Sequence, residues 1–333
     1  MKRAFITGIT GQDGAYLAKF LVGKGYKVYG GYRRTSTRNF WRLHYLDVKQ
    51  YVELVPIDLL DQASLIHALR DTKPDEVYNL AAQSYVGFSF SETVGSGEIT
   101  GLGVARMLDA VRIVDPAVRF YQASTSEMFG AAKPPQNEST VFEPQSPYAA
   151  AKLYAHHLVR NYRDGYGLHA SAGILFNHES PIRGIDFVTK RITDGVARIK
   201  MGYTDELQLG NLDANRDWGF AGDYVEAMWL MLQQPKADDY VIATGEMHSV
   251  REFCEKAFAH IGQDYRKYVK ANTGSQMRPL DVPALLGDAT KAQQKLGWKP
   301  STTFDDLVAM MVDADIEKYQ DPMKHAAQFL KHI

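Results

Sequence analysis

The first 180 residues alternate short apolar runs with longer stretches of helical periodicity. The apolar runs, rich in Val, Ile and Tyr, predict strands at Ala4–Gly8, Lys27–Tyr32, Val52–Asp58, Glu76–Ala82, Val118–Ser124 and Ala170–Phe176. The stretches between them predict helices near 12–24, 62–72, 97–114 and 147–165. Strands that alternate with amphipathic helices form βαβ units and a parallel sheet. We therefore expect a doubly wound α/β fold of the Rossmann type, which binds ligands at the carboxyl ends of its strands.

The second half of the chain is less regular. Its patterns predict helices at Asp217–Gln234, Val250–Ile261, Gly287–Leu296 and Thr303–Lys318, and a strand at Asp239–Thr244. Residues that break helices and strands, such as glycine and proline, predict loops over 133–147, 177–186 and 271–288. We expect a dinucleotide-binding domain over 1–176, joined by returning segments from the second half, and a smaller C-terminal α/β substrate-binding domain mainly over 177–333.

Charge and cysteine usage narrow the classes of function. The 333 residues carry a formal net charge of −1, which gives no overall attraction to nucleic acid or to an anionic membrane. Cys254 is the only cysteine, so no internal disulfide can form and a reducing compartment fits. The N-terminal apolar run is too short for a signal peptide or a membrane span. These features predict a soluble cytoplasmic protein.

Three glycines, Gly8, Gly11 and Gly14, follow the first predicted strand and open the first predicted helix. Glycines at such positions let the backbone turn tightly and approach a diphosphate, which binds the unpaired N–H groups of the helix N-terminus. The triplet alone is also consistent with a bare turn. Its place between a strand and a helix favours dinucleotide binding.

The end of the second predicted strand indicates which dinucleotide binds. An acidic residue there favours the ribose hydroxyls of NAD, but this chain has Arg33 and Arg34. Guanidinium groups form bidentate bonds with phosphate oxygens, so the pair suits the 2′-phosphate of NADP. The alternative is a solvated basic loop, because Arg38 and Arg42 lie close by in the sequence. We predict NADP.

The ends of the third and fourth predicted strands also suit a cofactor. Asp58 could accept a hydrogen bond from an adenine amino group, and the small residues around Ala82 and Ser84 leave room for a ligand. An ordinary strand terminus explains either feature equally well.

Tyr148 and Lys152 lie one turn apart on a helix whose start is marked by Ser146, a good N-cap, and Pro147. A phenol with its usual pKa near 10 needs a shift of about three units to act as a base near neutrality. A nearby ammonium and a cationic nicotinamide could supply that shift. The pair alone could be an ordinary surface pair, but after a dinucleotide-binding pattern it predicts a catalytic base.

Hydroxyl and carboxylate side chains follow the buried strand at Val118–Ser124. If the segment stays extended, Thr125 and Glu127 face one side, because side chains two residues apart point the same way. Thr125 could then hold a substrate hydroxyl beside Tyr148. Simple hydride transfer needs no carboxylate, so Glu127 indicates removal of a second proton, made acidic by a new ketone. A capping role for Glu127 is the local alternative.

Several segments, in order along nearly the whole chain, resemble the GDP-mannose 4,6-dehydratase family of the extended short-chain dehydrogenase/reductase superfamily. They include TGITGQDGAYLAK, NLAAQS, ASTSEMFG, SPYAAAK, GILFNHESP and RDWGFAGDYVEAMWLMLQ. The resemblance implies an NADP-dependent hydro-lyase that converts GDP-mannose to GDP-4-keto-6-deoxymannose. It implies oxidation at C4 with Tyr148 as base, loss of the C5 proton to Glu127, loss of water from C6, and reduction at C6 by the recycled cofactor.

The motifs and the resemblance together give an expected set of site residues. The catalytic residues are Thr125, Glu127, Tyr148 and Lys152. The cofactor-binding residues are Gly8, Thr10, Gly11, Gln12, Asp13, Gly14, Arg33, Arg34, Asp58, Leu59, Leu80, Ala82, Gln83, Ser84, Tyr148, Lys152, His178 and Arg183. The residues expected to contact the GDP-sugar are Ser84, Asn177, Lys190, Arg216 and Arg278. No metal is expected, because His178 and Glu179 are adjacent and lack a third ligand.

The resemblance also implies that the loop with Arg33, Arg34 and Trp41 reaches the cofactor of a neighbouring subunit, in a homotetramer or a homodimer. Departures from the family pattern are a shortened TSTRNFWRLHYL segment, Gly95 in place of a tyrosine, and Ile182 in place of an arginine. They keep a GDP-manno-heptose open as the alternative substrate. A C4 epimerase or sugar reductase would not need Glu127, and a non-catalytic NADP-binding regulator would not need Tyr148 and Lys152.

Overall fold

The computed structural model describes residues 1–271, 280, 282 and 284–321. In the first half, the strands are β1 (Arg3–Thr7), β2 (Lys27–Tyr32), β3 (Val52–Pro56), β4 (Glu76–Asn79), β5 (Arg119–Thr125), β6 (Ala170–Leu175) and β7 (Asn177–Glu179). The helices between them are α1 (Gln12–Gly23), α2 (Trp41–Tyr45), α3 (Gln62–Thr72), α4 (Thr93–Ser96), α5 (Gly103–Val114) and α6 (Pro147–Tyr166). A π-helical stretch, Gly97–Leu102, joins α4 to α5.

In the second half, the strands are β8 (Leu207–Leu209), β9 (Asn215–Arg216), β10 (Trp218–Phe220), β11 (Asp239–Ile242), β12 (His248–Ser249), β13 (Val269–Ala271) and β14 (Ala284–Leu285). The helices are α7 (Val188–Lys200), α8 (Ala221–Gln233), α9 (Val250–His260), α10 (Thr290–Leu296) and α11 (Phe304–Gln320).

The main sheet has seven parallel strands in the order β11-β6-β5-β4-β1-β2-β3. All six strands predicted in the first half are present in it, which confirms the doubly wound α/β fold. Strand β11 comes from the second half of the chain and extends the sheet beside β6. The two halves of the sequence therefore share one sheet.

Buried apolar side chains cover both faces of this sheet. One core cluster joins it to α1, α8 and α10, and a second joins it to α3, α5 and α6. A third cluster lies among α7, α9 and α11. Because both faces are covered, the central strands β1, β4, β5 and β6 are buried almost throughout and contain the apolar residues from which they were predicted.

The second half departs from the predicted elements where pairing is non-local. The helix predicted at Asp217–Gln234 begins only at Ala221, because the preceding residues form β9 and β10. Strand β9 pairs with both β12 and β14, and β10 pairs with β7. The helix predicted at Gly287–Leu296 begins at Thr290. Helix α7, which lies just beyond the loop predicted over 177–186, was not predicted.

Candidate active site

A cavity of about 570 Å³ opens at the carboxyl ends of the central strands. Its wall is formed by the glycine loop, the ends of β2 and β4, the end of β5, the start of α6 and the segment that follows β6. This is the edge at which a doubly wound sheet binds ligands. The residues that line it are therefore the first candidates for chemistry.

The glycine loop leaves no space for side chains. Gly8 has φ +69, and a Cβ there would lie 2.9 Å from the backbone nitrogen of Ala81. A Cβ on Gly14 would lie 2.4 Å from the carbonyl oxygen of Gly8. Helix α1 follows with Gly11 at its N-cap and no side-chain cap, so its first N–H groups face the cavity without a side-chain acceptor. The loop fits a dinucleotide diphosphate.

Most residues of the expected cofactor set line this one cavity. They are Gly8, Thr10, Gly11, Gln12, Asp13, Gly14, Arg33, Asp58, Leu59, Leu80, Ala82, Gln83, Ser84, Tyr148, Lys152, His178 and Arg183. Arg34 is exposed and does not line it. The structure thus separates the two neighbouring arginines, with Arg33 alone beside the strand ends.

Strand β5 ends in a short turn that carries the expected carboxylate. The strand runs to Thr125, and Ser126–Met128 forms one turn of 3₁₀ helix. The expectation of an extended backbone is therefore wrong at Glu127. Thr125 caps the turn by accepting a hydrogen bond from the Glu127 N–H at 3.2 Å. Both side chains are buried and line the cavity, although by a different backbone path from the one expected.

Helix α6 brings Tyr148 and Lys152 to the same place. Ser146 caps the helix, accepting from the N–H of Ala149 at 3.1 Å, as its sequence indicated. The Lys152 Nζ donates to the carbonyl oxygen of Ala123 at 2.6 Å, which joins α6 to the end of β5. The same Nζ lies 5.8 Å from the centre of the Tyr148 ring.

Electrostatic conditions at this pair are set mainly by burial. Burial raises the pKa of the Tyr148 phenol well above its usual value, while its hydrogen bond with Thr125 acts in the opposite direction. Burial lowers the pKa of Lys152 to about 8. The nearby Glu127 carboxylate raises the pKa of the phenol further. Tyr148 therefore needs positive charge close by before it can act as a base near neutrality.

The segment after β6 adds charged groups on the opposite side of the glycine loop. His178 Nε2 lies 2.9 Å from Asp13 Oδ2. Arg183 forms an ion pair with Glu179 at 2.9 Å, and its guanidinium lies 3.5 Å from the centre of the Phe187 ring. These contacts hold the cationic side chains in fixed positions at the cavity wall.

The residues expected to contact the sugar nucleotide are not all brought together. Ser84 and Asn177 line the cavity, whereas Arg216 and Lys190 do not. Lys190 donates to Asp315 at 2.6 Å and to the carbonyl of Pro181 at 2.7 Å, facing a second cavity of about 630 Å³.

Arg216 is buried, and its Nη1 donates to its neighbour's carbonyl, that of Asn215, at 2.8 Å. Arg278 lies outside the described residues. A role in binding the sugar nucleotide stays a prediction for these three basic residues: Lys190, Arg216 and Arg278.

Two polar clusters beside the site were not predicted. Ser124, on the far side of β5 from Thr125, bonds to His156 Nδ1 at 3.0 Å, which ties β5 to α6 a second time. Asp217, next to Arg216, is buried and accepts four hydrogen bonds. The donors are the N–H and hydroxyl of Thr244, the N–H of Gly245 and the N–H of Gly287. Neither cluster has a local sequence signal, because the partners are far apart in the chain.

The described ranges also bear on metal binding and on membrane insertion. No group of three or more His, Cys, Asp or Glu side chains in those ranges is placed to hold a metal ion. No helix within residues 1–271 or 284–321 is long and apolar enough to cross a bilayer.

Comparison with known proteins decides the family. The profile of the family described as "GDP-mannose 4,6 dehydratase" matches residues 5–311. The chain belongs to this family. A GDP-mannose 4,6 dehydratase of Arabidopsis thaliana is 52% identical over 95% of this chain and 87% of its own length. The human protein of that name is 49% identical over 94% of this chain and 91% of its own length.

Solved structures with lower identity share the fold of the chain. A dTDP-glucose 4,6-dehydratase from Streptomyces venezuelae superimposes with a TM-score of 0.85 at 24% identity, covering 96% of this chain and 98% of its own. A UDP-glucose 4-epimerase from Thermus thermophilus superimposes with a TM-score of 0.83 at 24% identity, covering 94% of this chain and 98% of its own. Epimerases and dehydratases therefore share this architecture, and only the side chains of the site can tell them apart.

Proposed function

We propose that this family member converts GDP-mannose to GDP-4-keto-6-deoxymannose, with an NADP that is recycled within each turnover. The observation that carries the proposal is the Glu127 carboxylate in the same buried cavity as Thr125, Tyr148 and Lys152. A sugar epimerase or reductase needs the hydroxyl, the phenol and the ammonium. Compared with C4 epimerisation and simple reduction, elimination of water also needs a base for the proton on C5.

The cofactor is proposed from the shape of the glycine loop and the basic residue beside it. A nicotinamide held there would supply the hydride chemistry, with oxidation at C4 of the sugar and reduction at C6. Gly8 and Gly14 leave room for the diphosphate, and the N-terminus of α1 supplies N–H donors. Arg33, which lines the cavity, supports NADP over NAD because it can bind a 2′-phosphate.

The side chains divide the proton transfers between them. Tyr148 takes the proton of the C4 hydroxyl, with Thr125 positioned to hold that hydroxyl. Lys152 supplies positive charge that favours the phenolate. Once C4 is a ketone, the proton on C5 is acidic, and Glu127 removes it. The C6 hydroxyl would leave as water with one added proton, which the protonated Glu127 can donate, so the carboxylate is regenerated. Return of the hydride to C6 then requires one proton at C5, and the proton that Tyr148 took from the C4 hydroxyl balances it, so the phenolate is regenerated as well.

We also propose that the chain acts as a homotetramer or homodimer, since residues 33–39, which follow β2, are exposed beside the cavity. The residues over 1–176 would then hold the cofactor, and those over 177–333 mainly the sugar nucleotide. Strand β11 is the returning segment that joins the two.

A single substitution tests the role of the carboxylate. Glu127→Gln keeps the size of the side chain and removes its basicity. Incubated with GDP-mannose and NADP, the wild type should yield a product lighter by one water, followed by mass spectrometry, with no net consumption of cofactor. The variant should still oxidise C4, seen as reduced nicotinamide absorbance, but should form no dehydrated product. Glu143→Gln, an exposed carboxylate outside the cavity, is the matched control.

The outcomes separate the competing functions. Dehydration by Glu127→Gln at the wild-type rate would contradict the proposed role of the carboxylate. Turnover of a GDP-manno-heptose but not of GDP-mannose would keep the chemistry and correct the substrate. Turnover of neither sugar by a protein that binds NADP would favour the non-catalytic regulator.

A further inference from the structure

The phosphate-binding loop contains a carboxylate whose charge opposes its proposed ligand. Asp13 is in the first turn of α1, two residues beyond Gly11, and lines the cavity beside the glycines. A helix N-terminus attracts anions, and the charge of a carboxylate in its first turn repels a diphosphate that binds there. A loop that binds a dinucleotide therefore needs a cation to compensate Asp13.

The geometry around His178 identifies that cation. Its Nδ1 lies 2.7 Å from the carbonyl oxygen of Phe176, and its Nε2 lies 2.9 Å from Asp13 Oδ2. A carbonyl oxygen only accepts, so Nδ1 carries a hydrogen. A carboxylate also only accepts, so Nε2 carries one too. With both nitrogens protonated, the ring is an imidazolium.

The surroundings favour this charged form. Burial alone would raise the pKa of Asp13, but the charge of His178 and the hydrogen bond between them lower it to about 2, which keeps Asp13 a carboxylate. Burial alone would lower the pKa of His178, yet the charge of Asp13 and that hydrogen bond raise it above its usual value. The His178 ring also stacks on Tyr224 at 4.7 Å and 24°, an arrangement that favours a cation over an aromatic face.

Two arginines and one lysine add further charges that face the pair. Lys152, whose pKa is lowered by burial to about 8, is close enough to Asp13 for their charges to interact. Arg183 lies close enough to His178 to oppose its protonation, although its own partner, Glu179, offsets part of that effect. Arg42 reaches the loop from α2, donating to the carbonyl of Thr10, and is close enough to Asp13 for their charges to interact. Both guanidinium groups stay charged across the range in which an imidazole titrates.

We propose that His178 is a proton-dependent positioning residue, whose imidazolium neutralises Asp13 so that the glycine loop can accept the diphosphate of the cofactor. The inference rests on the proposed binding of NADP. Both ring nitrogens of His178 face acceptors and its pKa is raised above the usual value, so the ring loses its proton as the pH rises through the folded-state value. Asp13 then loses its directly bonded cation, with only the charges of Arg42, Arg183 and Lys152 remaining near it, and the affinity for the dinucleotide falls. Binding of the cofactor is thus coupled to binding of one proton.

Cofactor binding measured against pH tests this coupling without any turnover. The Kd of the unliganded protein for NADP would be measured by titration calorimetry between about pH 7 and about pH 9. In the wild type, Kd should rise by up to about tenfold per pH unit above the pKa of His178. His178→Gln, which can still donate to Asp13 but carries no charge, should bind roughly tenfold or more weakly at neutral pH. Its slope should shrink to the part contributed by Lys152, whose pKa is about 8.

A second substitution separates charge from structure. In His178→Gln, adding Asp13→Asn removes the carboxylate and should restore most of the lost affinity. A merely structural contact would behave in the opposite way, because removing both partners would weaken binding at least as much as removing one. Thermal unfolding shows whether each variant is folded. The ¹⁵N shifts of both His178 ring nitrogens in the wild type show whether the ring is protonated, without any cofactor present.

The outcomes distinguish this inference from the function on which it rests. Equal pH slopes in the wild type and His178→Gln, or no recovery by Asp13→Asn, would overturn the role of His178 while leaving NADP binding intact. A neutral imidazole in the ¹⁵N spectrum at neutral pH would overturn it as well. Failure of the folded wild type to bind NADP at every pH would overturn the proposed function itself.

Discussion

Removing the charge of Lys152 should reduce the population of the reactive phenolate by about two orders of magnitude. The Nζ lies 5.8 Å from the centre of the Tyr148 ring, and both side chains are buried. At an effective dielectric constant of about 20, a unit charge at that distance is worth about 3 kcal/mol. This corresponds to roughly two pKa units, or a phenolate population about 100-fold smaller at a given pH. Lys152→Met should slow C4 oxidation by that factor.

The rate of C4 oxidation should depend on pH through the protonation of Lys152. Burial lowers the pKa of Lys152 to about 8, so the wild type should lose activity as the pH rises through that value and the ammonium loses its proton. Lys152→Met has no ammonium group, so its rate should not fall at high pH. The rising limb of the pH–rate profile, the part in which the rate rises as Tyr148 loses its proton, should move to higher pH. Single-turnover oxidation of GDP-mannose at a series of pH values measures both limbs.

A lysine outside the cavity provides the control for this experiment. Lys133→Met removes an exposed lysine outside the cavity and should leave both limbs unchanged. Lys152 also donates to the carbonyl of Ala123, so the melting temperature of each variant must be compared before rates are interpreted. If folded Lys152→Met loses less than about threefold in rate, or keeps the rising limb where it was, the electrostatic argument is wrong.

Two further substitutions have matched controls in the chain. Arg33→Ala should weaken binding of NADP relative to NAD by roughly tenfold or more, measured by titration of both dinucleotides, whereas Arg34→Ala should change the ratio less within a single subunit. Gly14→Ala places a Cβ 2.4 Å from the carbonyl oxygen of Gly8, so cofactor binding and the melting temperature should both fall. Gly23→Ala, with nothing within 4 Å of its Cβ, should leave binding unchanged and does not crowd the loop.

The fold was predictable because its signals are local. Strands buried on both faces give continuous apolar runs, so β1 to β6 were placed within a few residues. The pieces formed by non-local pairing were not predictable in the same way. Strands β9 and β10 have two or three residues each and are defined by partners elsewhere in the chain. The sequence pattern gives no sign of β9, and it places β10 inside the helix predicted from Asp217.

The site was predictable to the extent that topology alone brings residues together. The carboxyl ends of parallel strands meet at one edge, and that rule placed the glycine loop, Tyr148 and Lys152 in one cavity. An extended backbone is the expectation at Glu127, but the chain turns there because the side chain of Thr125 accepts a hydrogen bond from the Glu127 N–H. Lys190 is expected to contact the sugar nucleotide, and in the structure it donates to Asp315. This contact depends on how α7 packs against α11, which the local sequence does not indicate.

The four hydrogen bonds accepted by Asp217 have a consequence for how the protein matures during synthesis. Their donors lie on residues 244, 245 and 287, and the last is near the end of the chain. Six strands of the main sheet and the glycine loop are complete once residue 176 has been made. The neighbourhood of Arg216 is different, because a nascent chain shorter than 287 residues leaves Asp217 without one of its donors. The first six strands of the main sheet can therefore be synthesised early, whereas α8 and α10, which cover one face of that sheet, and the hydrogen bonds around Asp217 are completed only later.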